Sequence, residues 1–186
     1  MQVREGMESA VGNCEHYVRR CLLNTPCCGK MYPCRLCHDR NEDHEVNRFE
    51  VEILVCTQCR KDQPVSSHCK YCGILFGLYS CTKCRVFDDN DHGQFHCEEC
   101  GLCRKGGREN FFHCKQCGIC LTKSIKDSHK CREESGKDKC PVCFDSIHTA
   151  TEPSLAPKCG HLIHMKCHRL IMEFGHRRCP YCNQDY

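Results

Sequence analysis

The phrase His-Cys-x2-Cys-x2-Cys occurs twice in this chain, within FHCEECGLC at 95–103 and FHCKQCGIC at 112–120. It belongs to a wider set of Cys-x2-Cys pairs at 34/37, 56/59, 69/72, 81/84, 97/100, 100/103, 114/117, 117/120, 140/143 and 179/182. Two residues between thiols let one tight turn offer both sulfurs to a single ion about 2.3 Å away. A packed apolar core asks for no such spacing. One pair also suits a redox dithiol, but overlapping pairs interleaved with histidine point to metal.

Composition says how much of the fold the metal must carry. The chain has 25 Cys and 13 His in 186 residues, and no Trp. Cys is about 13% of the chain, which leaves roughly 27% of ordinary apolar residues, a thin supply for this length. Disulfides or metal must therefore supplement burial. The first thirteen residues, MQVREGMESAVGN, carry Arg4, Glu5 and Glu8 and hold no apolar run of signal-peptide length. No stretch approaches the roughly 18 apolar residues of a membrane helix. The expected compartments are nucleus and cytoplasm, with no membrane association, and there thiols stay reduced. The odd cysteine count also fits a closed disulfide set poorly. Zinc is the expected cofactor.

The donors fall into three blocks. The first offers Cys14, His16, Cys27, Cys28, Cys34, Cys37, His38, His44, Cys56, Cys59, Cys69 and Cys72. The second offers Cys81, Cys84, His96, Cys97, Cys100, Cys103, His113, Cys114, Cys117, Cys120, His129 and Cys131. The third offers Cys140, Cys143, Cys159, His161, His164, Cys167, Cys179 and Cys182. At four ligands per ion this gives about eight zinc ions, three, three and two. Only Cys21 is left over among the cysteines. His68, His92, His148, His168 and His176 are read as surface or outer residues.

In the second block YSC, the two FHC phrases and SHKC recur every 16 or 17 residues. Each unit is too small to bury anything alone, so the period suggests a short solenoid with zinc in place of a core. Independent fingers in a row are the other reading. Spacing does not say which Cys of one repeat shares an ion with which His of the next. His92 and His96 behind Cys81 and Cys84 mimic a DNA-reading finger. Only seven residues separate Cys84 from His92, too few for its strand and recognition helix.

Regular structure is expected to be sparse. FEVEILVC (49–56) and GILFGLYSC (73–81) read as extended. One helix is legible in HMKCHRLIMEF (164–174), where Cys167, Ile171 and Phe174 fall at i, i+4 and i+7 and Gly175 follows as a stop. REESGKDK (132–139) reads as a polar linker. The expected fold is a small, metal-stabilised multi-zinc protein with little regular secondary structure.

The third block has the order Cys-x2-Cys, Cys-x-His-x2-His-x2-Cys, Cys-x2-Cys over 140–182. This resembles a RING finger with two central histidines. The resemblance implies a ββα-like cross-brace, with Cys140, Cys143, His164 and Cys167 on one zinc and Cys159, His161, Cys179 and Cys182 on the other. CEHY (14–17) and its following Cys/His series resemble a CHY-type finger, and 81–131 resembles a CTCHY-type finger. The succession is similar to the RING and CHY zinc-finger ubiquitin ligases. Within the CHY finger it implies the sets Cys14/His16/Cys34/Cys37, Cys27/Cys28/His38/His44 and Cys56/Cys59/Cys69/Cys72. The resulting map is a tail (1–13), CHY finger (14–75), zinc-clipped CTCHY finger (76–131), linker (132–139), RING (140–182) and tail (183–186).

The resemblance further implies that the RING binds a ubiquitin-conjugating enzyme carrying ubiquitin and promotes transfer to a lysine of a protein substrate. No nucleophile and no catalytic side chain of its own is expected, since every RING thiol is a ligand. Val142, Ile171 and Pro180 match the enzyme-docking positions of such RINGs. Asn183 stands where many RING ligases carry a cation. The 14–131 region is the candidate for substrate recruitment, and the implied outcome is proteasomal degradation. The competing reading is a zinc scaffold that binds protein partners or nucleic acid without transferring ubiquitin. The net charge of +3 and the lone basic cluster RKGGRE (104–109) give nucleic acid little support. Cys21 as a covalent ubiquitin acceptor lacks a neighbouring base.

Overall fold

The computed structural model describes residues 14–150 and 153–186. The expected N-terminal tail lies outside the described residues. The chain divides into two compact units, Met1–Asp91 and His92–Tyr186.

The first unit is built on a four-stranded antiparallel sheet. Its strands are β1 (Cys21–Asn24), β2 (Met31–Tyr32), β3 (Ile53–Cys56) and β4 (Asp62–Pro64), in the order β2-β1-β3-β4. Between β2 and β3 lies helix α1 (Arg35–Asn41), a second helix that the apolar period does not betray. It is only seven residues long, and Cys34 caps it by accepting the Cys37 N–H on its sulfur. A sulfur in the usual place of a Ser or Asp cap hides the start signal. A hairpin of β5 (Tyr79–Cys81) and β6 (Val86–Asp88) ends the unit.

Its core is small. Leu23, Leu54, Val51, Phe76 and Phe87 are buried together with Cys21 and Cys56. Phe76 and Phe87 meet edge to face, with ring centroids 6.0 Å apart. The stretches read as extended are only partly so. Arg48–Glu50 forms a 3-10 turn ahead of β3, and of 73–81 only β5 is a strand.

The second unit opens with two hairpins, β7 (Phe95–Cys97) with β8 (Leu102–Arg104) and β9 (Phe111–Cys114) with β10 (Ile119–Thr122). The 140–182 block contributes β11 (Ser154–Leu155), β12 (Ile163–His164) and helix α2 (Met165–Glu173). Helix α2 fills the segment expected to be helical, and Gly175 stops it with φ +80°. Ile171 packs on the core, but Phe174 does not, being 75% exposed.

Segment 132–139 is not a free connection. Ser135–Lys137 forms a 3-10 turn with Ser135 and Gly136 buried. The Glu134 and Gly136 N–H groups donate to the carbonyls of Gln116 and Cys117, at 2.8 and 2.7 Å. Residues 183–186 also pack, with the Tyr186 ring 4.7 Å from that of His168.

Candidate metal centres

One turn recurs throughout. In each of four hairpin loops, at 56–61, 81–86, 97–102 and 114–119, the second Cys of a Cys-x2-Cys pair precedes a residue in the left-handed region. These residues are Arg60, Arg85, Gly101 and Gly118, with φ between 58 and 68°. Gly73, Phe144 and Asn183 follow their own pairs in the same way, with φ of 77, 62 and 58°. The backbone reverses there, so both sulfurs face one point. At Arg60, Gly73, Gly118, Phe144 and Asn183 the N–H of the reversing residue donates back to the carbonyl of the first Cys, as from Gly118 to Cys114 at 2.8 Å, whereas the Gly101 N–H donates to the Glu98 carbonyl at 3.2 Å. Glycine marks this turn only in part, because Arg, Phe and Asn also occupy it.

These turns bring the donors into tetrads. The ligand atoms of Cys14, His16, Cys34 and Cys37 lie within 4.8 Å of one another. The same holds for Cys27/Cys28/His38/His44, for Cys56/Cys59/Cys69/Cys72 and for Cys97/Cys100/His113/Cys120. Cys114, Cys117, His129 and Cys131 gather too, with Cys114 Sγ 3.7 Å from Cys131 Sγ and 3.3 Å from His129 Nε2. In unit one Cys84 donates its N–H to Cys81 Sγ at 3.4 Å, and in unit two His96 Nδ1 lies 3.8 Å from Cys103 Sγ. The repeats of the second block are therefore separate hairpins whose donors interleave. Cys97 and Cys100 of one meet His113 and Cys120 of the next, the pairing that spacing left open.

The third block interleaves as well. Cys143 Sγ lies 3.3 Å from His164 Nδ1 and neighbours the Cys140 and Cys167 thiols, while Cys159 neighbours those of Cys179 and Cys182. His161 stacks on Tyr181, centroids 5.2 Å apart, inside the Cys179–Cys182 turn.

A metal can be tested against these distances. Sulfurs about 2.3 Å from a tetrahedral zinc are separated by about 3.8 Å, and sulfur and imidazole nitrogen by about 3.6 Å. The sulfur pairs Cys14–Cys34, Cys34–Cys37, Cys56–Cys72, Cys59–Cys69 and Cys100–Cys120 lie 3.5–3.8 Å apart. Disulfide sulfurs would lie about 2.05 Å apart. His16 Nδ1 is 3.5 Å from both Cys34 and Cys37 Sγ. His44 Nε2 and His161 Nδ1 are buried without a hydrogen-bond partner, which is expensive for a ring nitrogen unless it binds a metal.

The outer nitrogens complete the fit. His38 turns Nε2 toward Cys27 and Cys28 and Nδ1 toward the Asp39 carboxylate, 2.9 Å away. His44 Nδ1 likewise meets Asp43 at 2.9 Å, and His129 Nδ1 meets the Ile125 carbonyl at 3.1 Å. Such partners fix the tautomer and aim the other nitrogen at a metal. Thiolate is favoured at Cys100, whose pKa falls to about 4 through the Cys120 thiol and the Arg104 guanidinium. His148, read as a surface or outer residue, is half-buried near Cys100, and burial holds its imidazole below the usual histidine range.

Cys21 is different in kind. It is fully buried on β1, opposite Cys56, and burial pushes its pKa to about 12. A protonated, inaccessible thiol is no acceptor for a covalent intermediate.

Small units closed by Cys and His tetrads define a multi-zinc protein, with thiolate and imidazole donors of the type that favours zinc. Comparison with known proteins narrows the class. Residues 14–85 match the CHY zinc finger, ten residues beyond the end read from the sequence and so including Cys81 and Cys84. The chain is 40% identical over 183 residues to the E3 ubiquitin-protein ligase SRFP1 of Oryza sativa, covering 97% of this chain and 70% of that protein. It is 40% identical over 182 residues to the E3 ubiquitin-protein ligase RZFP34 of Arabidopsis thaliana, covering 92% and 62%. An uncharacterized RING finger protein of Schizosaccharomyces pombe is 38% identical over 178 residues, covering 94% and 42%. The chain belongs to the family of CHY and RING zinc-finger E3 ubiquitin ligases. No helix among the described residues is long and apolar enough to cross a membrane.

Proposed function

We propose that the 140–182 block docks a ubiquitin-conjugating enzyme and holds its ubiquitin thioester for attack by a substrate lysine. The observation that carries this is an open depression of about 740 Å³ between the end of α2 and the Cys179–Cys182 turn. Ile171 and Pro180 line it together with Arg177, Tyr181 and Asn183. Val142 and Ile171 pack part-buried on one core, so two of the three docking positions share a rigid support. Tyr181 adds to that support by donating its hydroxyl to the Lys139 carbonyl at 2.9 Å, which ties the last Cys-x2-Cys turn to the start of the block.

The protein supplies geometry here and not a nucleophile. Zinc, when bound, clips the loops and leaves its thiolates unavailable for attack. The lysine amine forms the new amide bond while the enzyme's thiol leaves, and holding these groups in line accelerates the step. On this reading the zinc total is about eight, with all thirty-two donors in service. Residues 14–131 then recruit the protein substrate, and the modified substrate is destined for the proteasome. The names of the relatives support the ligase role.

Discharge of ubiquitin thioester from a panel of conjugating enzymes tests the reading. Val142→Ala and Pro180→Ala slow discharge while zinc content stays unchanged. A wild-type chain that accelerates no member of a broad panel would refute it.

A further inference from the structure

Gly136 and Gly160 lie closer to the 114–131 segment than any side chain permits. A Cβ on Gly136 would stand 2.8 Å from the Cys117 carbonyl oxygen and 2.9 Å from Ile119 Cβ. A Cβ on Gly160 would stand 2.7 Å from the Lys130 carbonyl oxygen. Both obstacles include backbone, which cannot swing aside. Gly160 sits between the donors Cys159 and His161, and Lys130 sits between the donors His129 and Cys131. Two ligand-bearing loops from different fingers are thus pressed directly together.

Packing behind these contacts is continuous. Cys114, Cys117, Ile119 and Leu121 from the β9–β10 hairpin share one core with Cys140, Ile147, Leu162 and Ile163. Leu121 is completely buried in it, and Val142 and Ile171 rest on its margin. The 132–139 segment closes the join through the Glu134 and Gly136 N–H groups.

We infer that the Cys114/Cys117/His129/Cys131 metal site and its hairpin act as the backing of the 140–182 block, holding its docking groove in shape from behind. The groove is then not a property of the RING alone. Losing the seat of Gly136 slackens Val142 and Ile171 although neither residue nor any ligand is substituted. The consequence for ubiquitin transfer rests on the ligase reading, but the mechanical coupling does not.

The test uses the full zinc-loaded chain and amide hydrogen exchange read by mass spectrometry. Gly136→Ala raises exchange about tenfold or more in segments 140–147 and 162–171, at unchanged zinc content. Leu121→Ala does the same through a cavity in the shared core, and it serves if Gly136→Ala does not fold. Gly73→Ala is the control, since its Cβ meets nothing within 4 Å and its φ of +77° strains a turn of the first unit, which shares no donor with the β9–β10 hairpin. Unchanged exchange in 140–147 and 162–171 overturns the inference, as does an equal rise in the control. Thioester discharge by the same proteins separates the two readings. Raised exchange with a wild type that discharges nothing leaves the coupling standing and removes the ligase reading.

Discussion

His38 Nδ1 and Asp39 Oδ1 lie 2.9 Å apart, and the same carboxylate oxygen accepts the Val46 N–H at 2.9 Å. The carboxylate thereby fixes a fully buried imidazole whose other nitrogen faces Cys27 and Cys28. Asp39→Ala frees the ring and weakens zinc binding at this tetrad by about 10–100-fold, as removal of such an outer partner does. Chelator competition on the intact chain measures it. Asp39→Asn keeps an acceptor and loses less.

Asn183 occupies the left-handed turn after Cys182, a conformation Asn tolerates better than most residues. Arg60 and Arg85 hold the same conformation in equivalent turns, at φ 60 and 58°. Asn183→Arg therefore fits the turn at a modest backbone cost and adds a cation beside the groove. A charge-assisted hydrogen bond of about 1.5–3 kcal/mol corresponds to a rise in discharge rate of roughly tenfold or more. Single-turnover discharge reads it.

Phe76 is fully buried against Phe87 in the core of the first unit. Phe76→Ala removes the edge-to-face contact and leaves a cavity, at about 3–5 kcal/mol. Denaturant unfolding at saturating zinc should show the loss in the transition of unit one.

Cys21→Ala should lower the stability of the sheet by only about 1 kcal/mol, the order expected for one small buried group. Zinc content and ubiquitin transfer should be unchanged. Loss of one equivalent of metal would make Cys21 a ligand, and loss of transfer at full metal content would revive a covalent role.

Much of this could be read from the chain because thiol spacing fixes the turn. The donors at 97/100 and 114/117 are visible as pairs, since a two-residue gap leaves the backbone few ways to serve one ion. Their partners were not visible. Cys120 lies at equal spacing from Cys117, yet hairpin pairing swings it to the Cys97 and Cys100 site. Strand register decides that, and register is a tertiary property. Helix α2 showed its period, while the seven residues of α1 were too few to show one. Segment 132–139 looked like a linker because its side chains are polar. Its backbone makes the contacts, and backbone hydrogen bonds leave no mark on composition.

Native mass spectrometry of the purified chain, before and after exhaustive chelation, tests the central claim that bound zinc, more than apolar burial, holds these units together. About eight zinc ions per chain are expected, and the far- and near-ultraviolet circular dichroism should collapse once they are removed. A chain carrying only two or three ions, or one that keeps its dichroism when stripped, would contradict that claim.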